Sequence, residues 1–225
     1  MGTRNLSLCR HNGEYKIAQY GQWDGYPSGQ GVTTLNFCKV YGNLTKLKEN
    51  LSKIRFFTDE ESKEIDEKLA KLPEEERDKL WNSGLWCRDI CAEIFEEVAN
   101  IEQTGKDTRL VNSIGFVKEL CGFGCEWAYC INFDTNKLEV YKGYNTIPLT
   151  HEDEFYSYGY SYTLEYSGKK TTYYPIRKIK EYDLNDLPDE NTFCSECTQP
   201  EKMTMMRLEQ PSSVSFEDIF TEGVF

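Results

Sequence analysis

The first thirty residues carry a two-residue rhythm on either side of a turn. Thr3–Arg10 alternates loosely between polar and apolar positions and predicts a strand, and Glu14–Tyr20 predicts the strand that returns beside it. Between them stands His11-Asn12-Gly13, because Asn-Gly accepts left-handed φ at both centre positions of a tight hairpin turn. From Val32 the period lengthens. Val32–Tyr41 predicts a helix with Leu35, Phe37, Cys38 and Val40 as its apolar positions, and Leu44, Leu47, Leu51, Ile54 and Phe57 recur at spacings of three and four. Thr58-Asp59-Glu60-Glu61 is a capping box and opens a helix to Leu72, with Ile65, Leu69 and Leu72 inward. Pro73 and the three glutamates after it favour another helix start, and Gly84, between Trp81 and Leu85, predicts its stop. Cys87–Ile101 returns to the helical pattern, and the glutamate-rich faces of these helices are expected to face solvent.

Beyond Thr108 the rhythm shortens again. Asn112–Leu120 predicts a short helix. Glu126–Phe133 is rich in strand formers, Asp134–Lys137 is a turn, and Leu138–Lys142 alternates as the partner strand. Tyr156–Tyr166 and Thr171–Tyr182 predict two further strands around Ser167-Gly168-Lys169-Lys170, with their many tyrosines expected to pack across the sheet. The expected fold is α+β: one domain over 1–188, an antiparallel sheet from the N-terminal hairpin and the 125–182 strands, and a helical insert at about 32–103. Residues 189–225 are expected to form a C-terminal tail, with Phe216, Ile219, Phe220 and Val224 available to dock on the body or on a partner.

Composition narrows the function classes. A chain of 225 residues with 39% hydrophobic and 14% aromatic content suits a globular core. A formal charge of −12 leaves no surplus of cations for phosphates, so general nucleic-acid binding is not expected. The absence of a long apolar run argues against a membrane span, and the N-terminus lacks a signal-peptide core. Gly2 does not make a myristoylation signal, because position 6 is Leu. Nine cysteines, an odd number with no secretion signal, suggest reduced thiols in a cytoplasmic compartment. Cys194-Ser-Glu-Cys197 has no second pair, and the only histidines are His11 and His151, so no metal or cofactor is expected.

The segment Tyr20–Gly31, Tyr-Gly-Gln-Trp-Asp-Gly-Tyr-Pro-Ser-Gly-Gln-Gly, is the candidate site. Four glycines, a proline and three aromatics describe a shaped loop rather than a helix or strand. Trp23 and Tyr26 can stack on a planar ligand such as a base or a nicotinamide-like ring, or they can pin the loop to the core. Asp24 can orient a ligand or act as a base, or it can cap a turn; Arg4 can hold an anion bidentately, or it can be a surface strand residue. Gln22 and Gln30 complete the polar set. The glycines lack the strand–GxGxxG–helix context and a GK[ST] ending, so neither a dinucleotide site nor a phosphate loop is indicated.

Gly2-Thr3-Arg4 with Ala18–Gly31, and later Cys125–Tyr129 with Leu138–Gly143, resemble a family of uncharacterised proteins of phages, prophages and some fungi. The resemblance spans about the first 40 residues and 112–188, and it implies no named activity. The architecture of a strand straight after Met, a hairpin and a Gly/Trp-Asp loop is similar to N-terminal-nucleophile hydrolases of the bile-salt-hydrolase type. That likeness implies a nucleophile at residue 2 whose own α-amine is the base. Residue 2 here is Gly, and Thr3 would become terminal only if Gly2 were also removed. The expectation is therefore a small-ligand site at the Gly-Trp-Asp loop in a non-catalytic scaffold of that type. The alternatives are an interaction module that inhibits a host defence protein, and an active amidohydrolase using Thr3 and Asp24.

Overall fold

The computed structural model describes residues 2–158 and 160–198. Its centre is a five-stranded sheet in the order β2-β1-β5-β6-β9, built from β1 (Asn5–His11), β2 (Glu14–Gly21), β5 (Trp127–Asn132), β6 (Lys137–Lys142) and β9 (Arg177–Asp183). The α+β class holds. The two hairpins form where the turn chemistry placed them: Asn12 and Gly13 both take positive φ, as does Asn136 in the turn before β6.

The sheet is mixed rather than purely antiparallel. β1 pairs with β5 in parallel, Asn5 opposite Trp127 and Arg10 opposite Asn132. The cause is the route of the chain. The helical segments leave from the end of β2 and deliver the chain back to that same end, so β5 runs in the direction of β1. Both faces are covered, which is why Asn5 to Cys9 are all buried instead of alternating with solvent. Leu6, Leu8, Ala128 and Tyr141 face a core closed by Val117, Phe155 and Ile176. Cys9, Ile17, Tyr129, Ile131 and Val140 face a larger core under the helices.

Those helices include α1 (Val32–Lys39), α2 (Asn43–Asn50), α5 (Ile94–Ala99) and α6 (Ile101–Thr104). The helix expected over 44–57 ends at Asn50; a single 3₁₀ turn follows, and Arg55–Phe56 becomes a short strand, β3, parallel to β4 (Arg109–Leu110). Thr58 caps α3 (Asp59–Lys71) with both halves of the capping box formed, and α4 (Glu74–Asn82) follows Pro73 and stops before Gly84. The helix expected over 87–101 is broken. Arg88–Glu93 is a 3₁₀ stretch kinked at Cys91 (φ 50, ψ −128), and the regular helix starts only at Ile94. The short helix of the second half, α7, runs from Gly115 to Gly124.

The tyrosine-rich half divides. β7 (Tyr162–Tyr166) and β8 (Lys169–Tyr173) form a separate hairpin, and only β9 joins the main sheet. Tyr162 stacks on Tyr173, but Tyr166 is 84% exposed, so these tyrosines do not build the core as expected. At the C-terminal side, α8 (Glu190–Thr198) docks on the body through Phe193, which is fully buried against Tyr129 and Tyr182. The docking residues expected at 216–224 lie outside the described residues. Phe193→Ala should therefore cost about 3–5 kcal/mol in urea unfolding; a cost under about 1 kcal/mol would mean that α8 is not part of the cooperative body.

Glu61 completes the capping box and also receives both arms of Arg55 at 2.7 Å. These hydrogen bonds, Arg55 first, hold its carboxyl down at about 2 from an ordinary value of 4.5. A depressed carboxyl stabilises the fold above its unfolded value and ceases to do so as pH falls through the folded one. The stability gap between wild type and Glu61→Gln should thus be widest above a pH of about 5 and close as pH falls towards about 2. A gap independent of pH over that range would refute the assignment.

Candidate functional site

The loop after β2 is tied to the start of β1 by one side chain. Asn5 is fully buried, and its Nδ2 group lies 3.2 Å from the Trp23 carbonyl, 3.3 Å from that of Gly21 and 3.4 Å from that of Thr3. Two N–H bonds thereby serve three carbonyls of two separate segments. The Gly25 amide donates to the Thr3 carbonyl at 3.0 Å, and the Tyr129 hydroxyl, from the core of β5, donates to the Gly25 carbonyl at 2.8 Å. The loop closes on itself where the Gln30 amide donates to the Asp24 carbonyl at 2.8 Å. Gly29 is required there: a Cβ would fall 2.1 Å from that carbonyl oxygen. Pro27–Gly31 then forms a wide helical turn that runs into α1.

On this frame the sequence-predicted residues separate into two groups. Trp23, Asp24 and Tyr26 are all exposed at the surface. Trp23 is 55% exposed and Tyr26 42%, so they do not pin the loop to the core. The Tyr26 hydroxyl donates to Asp24 Oδ1 at 2.9 Å, and that bond holds the phenol above its ordinary pKa. Asp24 takes a left-handed φ of 52, a conformation that Asp tolerates better than most residues. The other group turns away. Arg4 lies against Glu126, with Nε 3.7 Å from Oε1. Gln22 accepts from the Tyr20 hydroxyl, Gln30 Oε1 accepts from the Ala92 amide at 3.0 Å, and the Thr3 carbonyl is occupied as above.

Position 2 is tightly packed. A Cβ on Gly2 would fall 2.3 Å from the Gln22 carbonyl and 2.8 Å from Cε3 of the Trp23 ring. A nucleophilic side chain there would have to displace the loop backbone. The edge of Trp23 rests against Gly2 while the remainder of the ring meets solvent.

Beneath the loop lies a polar cluster that pattern reading did not anticipate. Gln19 Nε2 donates to the carbonyls of Tyr20 and Cys87, at 3.0 and 3.1 Å. Cys91 is 3% exposed, and its Sγ would lie 2.7 Å from a methyl built on Gly21, which would also meet the Asn5 carboxamide at 2.8 Å. Asn5 Oδ1 and Ser7 Oγ, both buried, have no hydrogen-bond partner among the described residues. The sequence offers only the polar side chains of Asn5 and Ser7, which a polar–apolar alternation accommodates without comment. Cys194 and Cys197 lie on α8, where Cys197 meets the Tyr182 hydroxyl at 3.7 Å. Among the described residues no three His, Cys, Asp or Glu side chains gather as a metal site.

No protein-family model matches the chain. Searches of the curated proteins and of the solved structures likewise find no match.

Asn5→Asp tests the clamp, since it keeps the shape but aims a carboxylate at three carbonyls. Burying an unpaired charge among acceptors should cost at least about 3 kcal/mol at neutral pH, and less in acid, where the carboxyl can carry a proton. A variant as stable as wild type at neutral pH would show that the clamp does not hold the loop.

Proposed function

We propose that this protein is a non-catalytic small-ligand binder of phage type, with an N-terminal-nucleophile-like scaffold and a recognition element formed by Trp23, Asp24 and Tyr26. The observation that carries the reading is the exposure of two aromatic rings on a backbone pinned by Asn5, Tyr129 and Gln30. Exposed aromatics on a preorganised loop offer binding area at small entropic cost. Asp24 supplies an acceptor beside the rings, so the fitting ligand is a planar heterocycle with an N–H donor, such as a nucleobase or a nicotinamide-like ring. The packing around Gly2 favours binding over amine-base catalysis at the second residue. The site of action is the host cytoplasm.

A second reading, an interaction module aimed at a host protein, draws on the β7–β8 hairpin. Leu164 and Tyr166 on this hairpin and Tyr160 just before it are exposed, and such apolar surface suits protein contact.

The first reading is tested by thermal-shift titration with adenosine, guanosine, cytidine, uridine and nicotinamide. At least one should raise the melting temperature of the wild type. Trp23→Ala and Asp24→Ala should each abolish that rise while leaving the ligand-free melting temperature within about 2 °C of wild type. A rise that survives both substitutions, or no rise with any of the five, would overturn the reading.

A further inference from the structure

At the opposite end of the sheet from the loop, the described residues enclose an open cavity of about 390 Å³. It lies between the α1–α2 junction, the β5–β6 turn and the chain after β9. Its apolar surface comes from Leu44, Phe133 and Leu184, and its polar rim from Lys39, Lys48 and Tyr41. This volume is within the range of small-molecule sites, at roughly 300–1,000 Å³.

Three features select the ligand. The first is charge. The chain has 38 acidic and 26 basic side chains, yet the lining contains two lysines and no carboxylate. Among the described residues neither lysine forms an ion pair within 4.0 Å. Lys48 Nζ sits over the Phe133 ring at 5.5 Å, and the Asp189 carboxylate accepts from the Thr192 amide and hydroxyl. The second is apolar exposure: Val40 is 55% exposed and Tyr41 fully so, which leaves a flat aromatic face at the mouth. The third is the start of α2: its N-cap Gly42 has no side-chain cap, and Gly42, Leu44 and Thr45 line the cavity, which places the positive end of the helix dipole at the wall.

We propose that this cavity binds a small organic anion with a planar apolar body, an aryl phosphate or aryl carboxylate. The ring lies on Phe133, Leu44 and Leu184, and the anionic group lies between Lys39 and Lys48. Both lysines are solvent-exposed, so their removal does not threaten the core.

Phenyl phosphate, phenol and inorganic phosphate separate the contributions. In amide-resolved NMR titrations of the full chain, phenyl phosphate should shift the Tyr41, Gly42, Leu44 and Lys48 signals. Phenol and inorganic phosphate should each bind at least about tenfold more weakly. A Lys39→Gln/Lys48→Gln double variant should weaken phenyl phosphate by about tenfold with its melting temperature unchanged. Equal binding of phenol and phenyl phosphate, affinity unmoved by the double substitution, or shifts confined to the Trp23 loop would each overturn the assignment.

Discussion

A single buried carboxamide holds the organisation of this molecule. Asn5 is fully buried, and its amide group gathers carbonyls from the chain before β1, from the end of β2 and from the loop after it. The Thr3 carbonyl also accepts from the Gly25 amide, and a buried carbonyl left without a donor costs about 1–3 kcal/mol. The hairpin, the parallel partner β5 and the loop all converge on this point, because Tyr129 of β5 reaches the same loop from below. The loop is consequently a part of the sheet's end rather than an appendage to it.

The two ends of the sheet differ in chemistry because different elements close them. At the loop end, a backbone folded on itself presents Trp23, Asp24 and Tyr26 outward, and the acceptor character dominates. At the other end, the α1–α2 junction contributes lysines while nearby acids are already engaged, Asp183 by Asn136 and Lys137 and Asp189 by Thr192. The cavity lining itself thus carries two lysines and no carboxylate, while Asp183 and Asp189 beside it remain ionised in their own hydrogen bonds. Glu139, buried in β6 against Tyr141 and Lys178, is a further example of an acid spent on internal structure.

Local chemistry was legible in the sequence, and long-range chemistry was not. The Asn12-Gly13 turn, the Thr58 capping box and the hairpin around Asp134–Lys137 each depend on residues a few positions apart, and each formed as expected. The parallel pairing of β1 with β5 depends on where the intervening helices return the chain, which no local period encodes. The break at Cys91 is similar: the apolar spacing over 87–101 is helical, but Cys91 takes a positive φ where the absent side chain of Gly21 leaves room for its thiol, a contact remote in sequence. The tyrosines of 160–166 alternate like a core strand, yet Tyr160 and Tyr166 remain more than half exposed. Of the six candidate ligand-binding residues, Trp23, Asp24 and Tyr26 are exposed on the loop. Arg4 and Gln30 were not distinguishable from them, because Glu126 and Ala92 are remote in sequence.

The strain at Cys91 bears on how the loop works. A non-glycine residue at positive φ costs about 1–3 kcal/mol and persists only where its surroundings over-determine it. Here the surroundings are the loop itself: Gln30 holds the amide of Ala92, Gln19 holds the carbonyl of Cys87, and Gly21 leaves room for the Cys91 thiol. The dependence runs both ways, since the kinked segment gives the side chains of Gln19 and Gln30 their partners. Two segments that each hold the other in one conformation have little freedom left to lose. For the ligand proposed above, the rings of Trp23 and Tyr26 would stand on a backbone already ordered, so binding would not carry the entropic cost of folding a loop around it.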